Sequence, residues 1–243
     1  MAVGETINDG SVVWKKDFIM SLSKLPLAVG YNHKETFTTS GSFTAPITGL
    51  YKVTLQGGGG GAGGAGKPTY GGGGGGSGAK LVFYEQLVAG ESYSYIIGAG
   101  GKGGEGATSN GTNDGSQGSM GGNSTITIND NTYVSMGGLY GYGSQYSNGM
   151  GGGYGGLGYI NNTVVTRGFP GSPGAYQIQG GLGGGEGASN ISTHPYVSPC
   201  GCGGTGANGS GGFGNGGNGS DGYITFEWFD PADVWPDLFP ATA

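Results

Sequence analysis

In the stretch "YKVTL", Tyr51, Val53 and Leu55 alternate with Lys52 and Thr54. This is the two-residue period of a strand that buries one face. The same alternation returns at Tyr93, Tyr95 and Ile97, at Ile126 and Ile128, and at Ile224, Phe226 and Trp228 in "DGYITFEWF". Runs rich in branched and aromatic residues, "GSVVWKK", "ETFTTSGSFTAP", "KLVFYEQLV" and "TYVSM", add strand material, and "NDN" before "TYVSM" supplies a turn. The one helical candidate, "FIMSLSKL", is short and ends at Pro26. With about seven strands and no long amphipathic helix, the pattern predicts an all-β chain.

Between the strands the pattern dissolves into glycine. The glycine segments are 57–66, 71–79, 98–107, 118–122, 149–158, 180–188 and 201–222. Most are near ten residues long, with short non-glycine turns between them, and a flexible linker has no reason to be cut to even lengths. An extended threefold helix of the polyproline II type has about 3 residues per turn, about 3.1 Å rise per residue and no internal hydrogen bonds. Its amides and carbonyls point outward, so rods without side chains can approach closely and bond to one another. A ten-residue segment becomes a rod of about 31 Å. In such an array Ala, Ser and Cys occupy the tolerant gaps, and Lys102, Glu105 and Glu186 mark faces turned to solvent. The expected architecture is therefore all-β: a β-sandwich-like module combined with a packed array of polyglycine II helices, with distal loops.

Composition sharpens this picture. The chain holds 64 Gly and 10 Pro among 243 residues, 74 together, a level that by itself predicts disorder. Against disorder stand 15 Tyr, 9 Phe and 3 Trp. Net charge is −6 and the 9 cationic residues are scattered, so no basic stripe tracks a phosphate backbone and nucleic acid is not an expected partner. No apolar run approaches the roughly 20 residues of a membrane-spanning helix, and no secretory signal is evident. Cys200 and Cys202 are too few for a disulfide framework.

Catalytic and cofactor motifs are weak. "GAGGAGK" (61–67) begins like a phosphate-binding loop, but Pro68 replaces the Ser or Thr and no helix follows. His33 and His194 each stand alone in the sequence, without a second His or a carboxylate at metal-ligand spacing. No Ser/His/Asp order and no informative pair of carboxylates emerges. No enzyme activity, cofactor or metal is expected.

The order of blocks carries a resemblance. "GSFTAPITGLYKVTLQGGGGGAGG", then "GGGGGGSGAKLVFYEQLVAGESYSYIIGAGGKGG", then "STITI", spaced glycine clusters and a closing "GSDGYITFEWF" resemble the glycine-rich domain at the ends of bacteriophage tail fibres and related adhesins. The resemblance covers residues 36–229. A more distant likeness is to the polyglycine-helix tip adhesins of T-even-like phages. Upstream, "VGETINDGSVVWKKDF" resembles the end of a small repeat module of phage fibre proteins. The resemblance implies three parts: fibre attachment in 1–35, the glycine-rich domain in 36–229, and a C-terminal tail in 230–243.

What the resemblance implies about function is host adhesion. The chain would be the receptor-binding tip of a phage or tailocin fibre, located in the virion and extracellular, assembled as a homotrimer with other fibre subunits. Its receptor would be a bacterial surface glycan or outer-membrane protein, met without membrane insertion. The contact loops would be 139–148, 159–179 and 189–199, carrying Tyr140, Tyr142, Tyr146, Tyr159, Arg167, Phe169, Tyr176, His194 and Tyr196. Tyrosine offers stacking area and a hydroxyl at low entropic cost, and Arg167, the only arginine, offers a forked donor for a carboxylate or phosphate. The alternative is a purely structural glycine-rich module of a fibre or cell surface, for which short uniform turns would be expected.

Overall fold

The computed structural model describes residues 5–6, 12–13, 30–66, 71–107, 114–144, 151–170 and 214–234. Strands β1 (Glu5–Thr6) and β2 (Val12–Val13) pair with each other. The other strands form two antiparallel sheets. One holds, in order, β3 (His33–Phe37), β12 (Tyr223–Trp228), β5 (Gly49–Gln56) and β6 (Lys80–Leu87). The other holds β11 (Thr163–Arg167), β10 (Leu157–Ile160), β9 (Asn131–Ser135), β8 (Ser124–Ile128), β7 (Ser92–Ile96) and β4 (Gly41–Thr44). A single helical turn, α1 (Pro231–Val234), follows β12.

Side-chain alternation builds the core between the sheets. Tyr51, Val53 and Leu55 are fully buried, while Lys52 reaches Glu227 on the neighbouring strand at 2.7 Å. Ile224, Phe226 and Trp228 close the same sheet, and Tyr93, Tyr95, Ile126 and Ile128 face them from the other. Ile97 is only partly buried at the margin of this cluster. Aromatic rings join the layers: Phe43 stacks on Phe226 at 4.1 Å and Phe83 on Tyr133 at 3.6 Å, pairs worth about 0.5–1.5 kcal/mol each beyond their buried area.

Two hairpins turn on left-handed residues. Asn129 and Asp130 have φ of 49° and 65°, and Asn161 and Asn162 have φ of 47° and 66°. Two consecutive positive-φ residues make the type I′ turn that matches strand twist, and short polar side chains tolerate this region best after glycine. The second hairpin corrects the sequence reading. Residues 159–167 were expected to open a long loop, yet Leu157–Arg167 forms the antiparallel pair β10–β11. The side chains of Tyr159, Ile160, Val164 and Val165 suit a sheet, and "NN" is the turn signal.

At one end of the sandwich the connections are short: 45–48, 88–91, 129–130 and 161–162. At the other end β5, β7, β9 and β11 run out into extended segments, from which β6, β8, β10 and β12 are re-entered. The outgoing and returning rods are 57–66 and 71–79, 98–107 and 114–123, 136–144 and 151–156, and the short 168–170 with 214–222.

The rods pack around 57–66 with a strict three-residue period. Gly57, Gly60 and Gly63 donate to Ala79, Gly76 and Gly73 on one rod at 3.1, 2.8 and 2.9 Å. Gly58, Gly61 and Gly64 donate to Gly122, Ser119 and Ser116 on a second. Gly59, Ala62 and Ala65 donate to Ser220, Gly217 and Gly214 on a third. Two parallel rods donate back: Gly101, Gly104 and Ala107 to residues 59, 62 and 65, and Gly138, Gly141 and Ser144 to residues 58, 61 and 64. One bond per turn to each neighbour is what a threefold helix in a packed array makes.

Glycine is required on two of the three faces of this central rod. A Cβ at Gly61 would overlap the Lys102 carbonyl oxygen, and one at Gly60 that of Leu139. The third face has room for a methyl group, and there Ala62 and Ala65 sit fully buried. Along 98–107 the burial itself repeats every third residue: Gly98, Gly101, Gly104 and Ala107 are buried, and Ala99, Lys102 and Glu105 are exposed. Lys102 and Glu105 thus face solvent as expected.

Several rod boundaries differ from the sequence reading. The segment read as 118–122 extends over 114–123, because Ser, Gln, Met and Asn occupy its outward positions. The stretch 139–144, expected in a connecting loop, lies in a rod. Its inward positions Gly138, Gly141 and Ser144 are small, which leaves Leu139, Tyr140 and Tyr142 free to point elsewhere. Of the segment read as 149–158, 151–156 is rod and Leu157 already belongs to β10. The segment 180–188 with Glu186, and residues 201–213 with Cys202, lie outside the described residues, as do Cys200 and the helical candidate 18–25.

Candidate functional site

The rods carry the chain to the end of the molecule opposite the tight turns. The described residues of three rod pairs reach it on both sides, ending at Gly66, Ala107 and Ser144 and resuming at Gly71, Asp114 and Gly151; in the fourth, rod 214–222 reaches it at Gly214 beside Ala65, whereas 168–170 is described only beside Ser77, near the sandwich. The joining residues 67–70, 108–113, 145–150 and 171–213 lie outside the described residues. Their anchors are held closely. The fully buried Ser144 accepts at Oγ from the Gly66 amide and at its carbonyl from Gly115 at 3.1 Å. Ala65 donates to Gly214 at 2.9 Å, and Tyr142 to Gly151 at 3.2 Å. The residues that flank 67–70, 108–113 and 145–150 are therefore fixed by main-chain bonds.

The outer rods are closed by side-chain oxygens, a feature the sequence reading did not anticipate. Asn215, Asn218 and Asp221 recur every third residue, and their Oδ1 atoms accept from Gly106, Gly103 and Gly100 at 2.8, 2.8 and 2.7 Å. Ser119 and Ser116 accept from Lys102 and Glu105 at 2.6 and 2.7 Å. Together with the bonds to 57–66, every amide from Gly100 to Ala107 has an acceptor. The signal was present as "NGGNGSD" (215–221), with its period of three.

The sequence-derived contact residues that are described, Tyr140, Tyr142, Tyr159, Arg167 and Phe169, do not converge on one surface. Tyr140 and Tyr142 lie near the far end of rod 136–144 and touch edge to face, with ring centroids 5.4 Å apart. Tyr142 is 44 % exposed, and Tyr154, on the adjacent antiparallel rod, is 70 % exposed. Leu139 donates to the Tyr154 carbonyl at 2.8 Å, so these aromatics flank two bonded rods. Arg167 ends β11 and is exposed; Phe169, two residues along, is 55 % exposed, and its backbone is held by the Ser77 hydroxyl at 2.8 Å. Tyr159 sits in the sandwich beside the Asn161–Asn162 turn, far along the chain direction from the rod ends. Tyr146, Tyr176, His194 and Tyr196 lie outside the described residues.

Elsewhere the structure gathers polar groups that the sequence separates. A shallow pocket of about 390 Å³ opens where β7 and β8 splay after two register positions, and its rim carries Ser92, Ser94, Thr125 and Thr127. At the tight-turn end the Glu85 carboxylate accepts from Asn129 at 3.1 Å, from Asn131 at 2.9 Å and from the Tyr133 hydroxyl. Burial, and then the Glu85 carboxylate, hold the Tyr133 phenol protonated well above its ordinary range. His33 does not stand alone in space: Asp230 and Asp233 bring carboxylate oxygens to its imidazole across some 200 residues of sequence.

A family model described as a glycine-rich domain covers residues 37–229, well over half of the chain. No curated protein matches it.

Proposed function

The chain belongs to the glycine-rich domain family, and from that premise we propose that it is a non-enzymatic receptor-binding tip of a bacteriophage or tailocin tail fibre. Its receptor is a bacterial surface glycan or outer-membrane protein. One observation carries the reading: three excursions from the sandwich, and the returning rod 214–222 of a fourth, reach the same end, while the opposite end carries the tight turns. The rods that flank 67–70, 108–113 and 145–150, together with rod 214–222, then present one tip on a scaffold whose own bonds do not depend on the sequence of those segments.

The tyrosines fit such a surface. Tyr142 and Tyr154 are exposed on adjoining rods, and tyrosine rings suit stacking on sugar rings or apolar protein surface. Assembly as a homotrimer in the virion belongs to the same reading. The edge strand β11, with a register shift opposite Gly158–Tyr159 and Val164 and Val165 half exposed, is the open edge that favours a subunit contact.

Binding of the purified chain to intact candidate bacteria tests the proposal. Replacing 145–150 and 189–199 with Gly-Ser sequences of equal length should abolish adhesion while thermal unfolding stays unchanged. Undiminished adhesion would overturn the tip assignment, and no adhesion of the unaltered chain would leave the purely structural module in its place.

A further inference from the structure

An imidazole and two carboxylates meet where β3 begins and β12 ends. His33 opens β3, and Asp230 and Asp233 follow β12 in "DPAD". One ligand atom from each lies within 4.8 Å of the other two. His33 precedes the family-matched span 37–229 and both aspartates follow it, so all three ligands lie outside the matched residues.

His33 and Asp230 are positioned by contacts outside the cluster. The imidazole stacks on its cross-strand partner Trp228, centroids 5.0 Å apart and planes within 8°, which fixes the ring plane. Asn32 and Asp230 exchange two bonds, Asp230 N to Asn32 Oδ1 at 2.8 Å and Asn32 Nδ2 to the Asp230 carbonyl at 3.0 Å. Asp230 Oδ1 also caps the Ala232 amide at 2.8 Å, and Pro231 starts the helical turn with its φ already set. Asp233, three residues on, comes back to the same face and contacts His33 Nε2. His33 and Asp233 side chains are 36 % and 55 % exposed, so the cluster is open to solvent.

We propose that His33, Asp230 and Asp233 bind a divalent transition-metal ion, zinc in the first instance, which ties the start of β3 to the turn after β12. Imidazole nitrogen with two carboxylates is a zinc donor set, and bonds of about 2.0–2.2 Å place donors about 3.4 Å apart. The half-exposed Asp233 side chain reaches that spacing by rotation about its own bonds. Two carboxylates and a neutral imidazole balance the charge of the ion, and water completes the coordination. Stacking on Trp228 and the Asn32 clamp act as the supporting contacts that orient metal ligands.

Calorimetric titration of zinc chloride into the chelator-stripped full chain tests this. One equivalent should bind, and saturating zinc should raise the thermal midpoint. His33→Ala and Asp233→Asn should each weaken binding at least tenfold and remove the thermal shift. Because Asp233 is exposed, its variant remains informative even if His33→Ala unfolds. Cobalt substitution should give a visible absorption band that Asp233→Asn loses. Equal zinc affinity in wild type and both variants, no zinc bound at all, or binding lost instead in Cys200→Ser with Cys202→Ser would overturn the site.

Discussion

At the scale of single residues, the central rod sorts its positions by whether a methyl group fits. Gly61→Ala places a Cβ on the Lys102 carbonyl, and since backbone cannot swing aside, the rods must part. A loss of about 3 kcal/mol or more is expected in urea unfolding. Among the described residues Gly151→Ala meets nothing within 4 Å, and it should be neutral or stabilise by about 0.4–1 kcal/mol through the unfolded chain. If both cost the same, side-chain exclusion is not what the glycines provide. Asn218→Ala removes the acceptor of the Gly103 amide, at an expected cost of about 0.5–1.5 kcal/mol; Asn218→Asp, which keeps the oxygen, should retain most of the stability. This ladder could have been read from the spacing in "NGGNGSD". The approach of His33 to Asp233 could not, because no local pattern links residues about 200 apart.

At the scale of elements, alternation was legible wherever a strand buries one face, as in β5 and β12, and glycine content was legible wherever a rod has rods on every side, as at 57–66. Errors arose where a rod lies at the surface. Rod 136–144 keeps glycine or serine only at Gly138, Gly141 and Ser144 toward its inner neighbour, plus Gly137 and Gly143, so its tyrosines mimic a loop. β10 and β11 mimic a loop for the opposite reason: glycine at 158 interrupts the strand where Leu81 and Thr166 press against it. The period of three therefore carries more information than glycine count. Deleting Gly61 alone should unfold the array, because every residue after it presents the wrong face to its neighbours, whereas Gly-Ser exchange within 145–150 should leave the thermal midpoint unchanged.

At the scale of the molecule, two kinds of interior are joined end to end: a sandwich closed by aromatic rings and a block closed by main-chain bonds. Hydrogen exchange should separate them from any linker. Amides of 58–65 should exchange only with global unfolding, as slowly as those of β5 and in spite of their glycine content; fast exchange there would rule out the packed block. The sandwich has its own signature in alkali. Burial pushes the Tyr51 phenol up to about 12, while an unfolded tyrosine ionises near pH 10. The unfolded state gains from ionisation first, so stability is complete below pH 10 and drains away between pH 10 and about 12. Tyr93, Tyr95 and Tyr133 are raised in the same direction. Urea midpoints followed from neutral pH to about pH 12 should fall along this window, and Tyr51→Phe, which gives up the 2.9 Å bond to the Ile47 carbonyl, should start lower and fall less.

The repeat along the rods also sets how the molecule can change size. Each rod bonds to its neighbours once per turn, so a longer or shorter block keeps its partners only if every rod gains or loses whole turns together. One turn is three residues and about 9 Å. Reach is thus quantised: relatives of this chain can project their tips farther or less far only in increments of that rung, with triplets of residues inserted or removed in concert across all the rods.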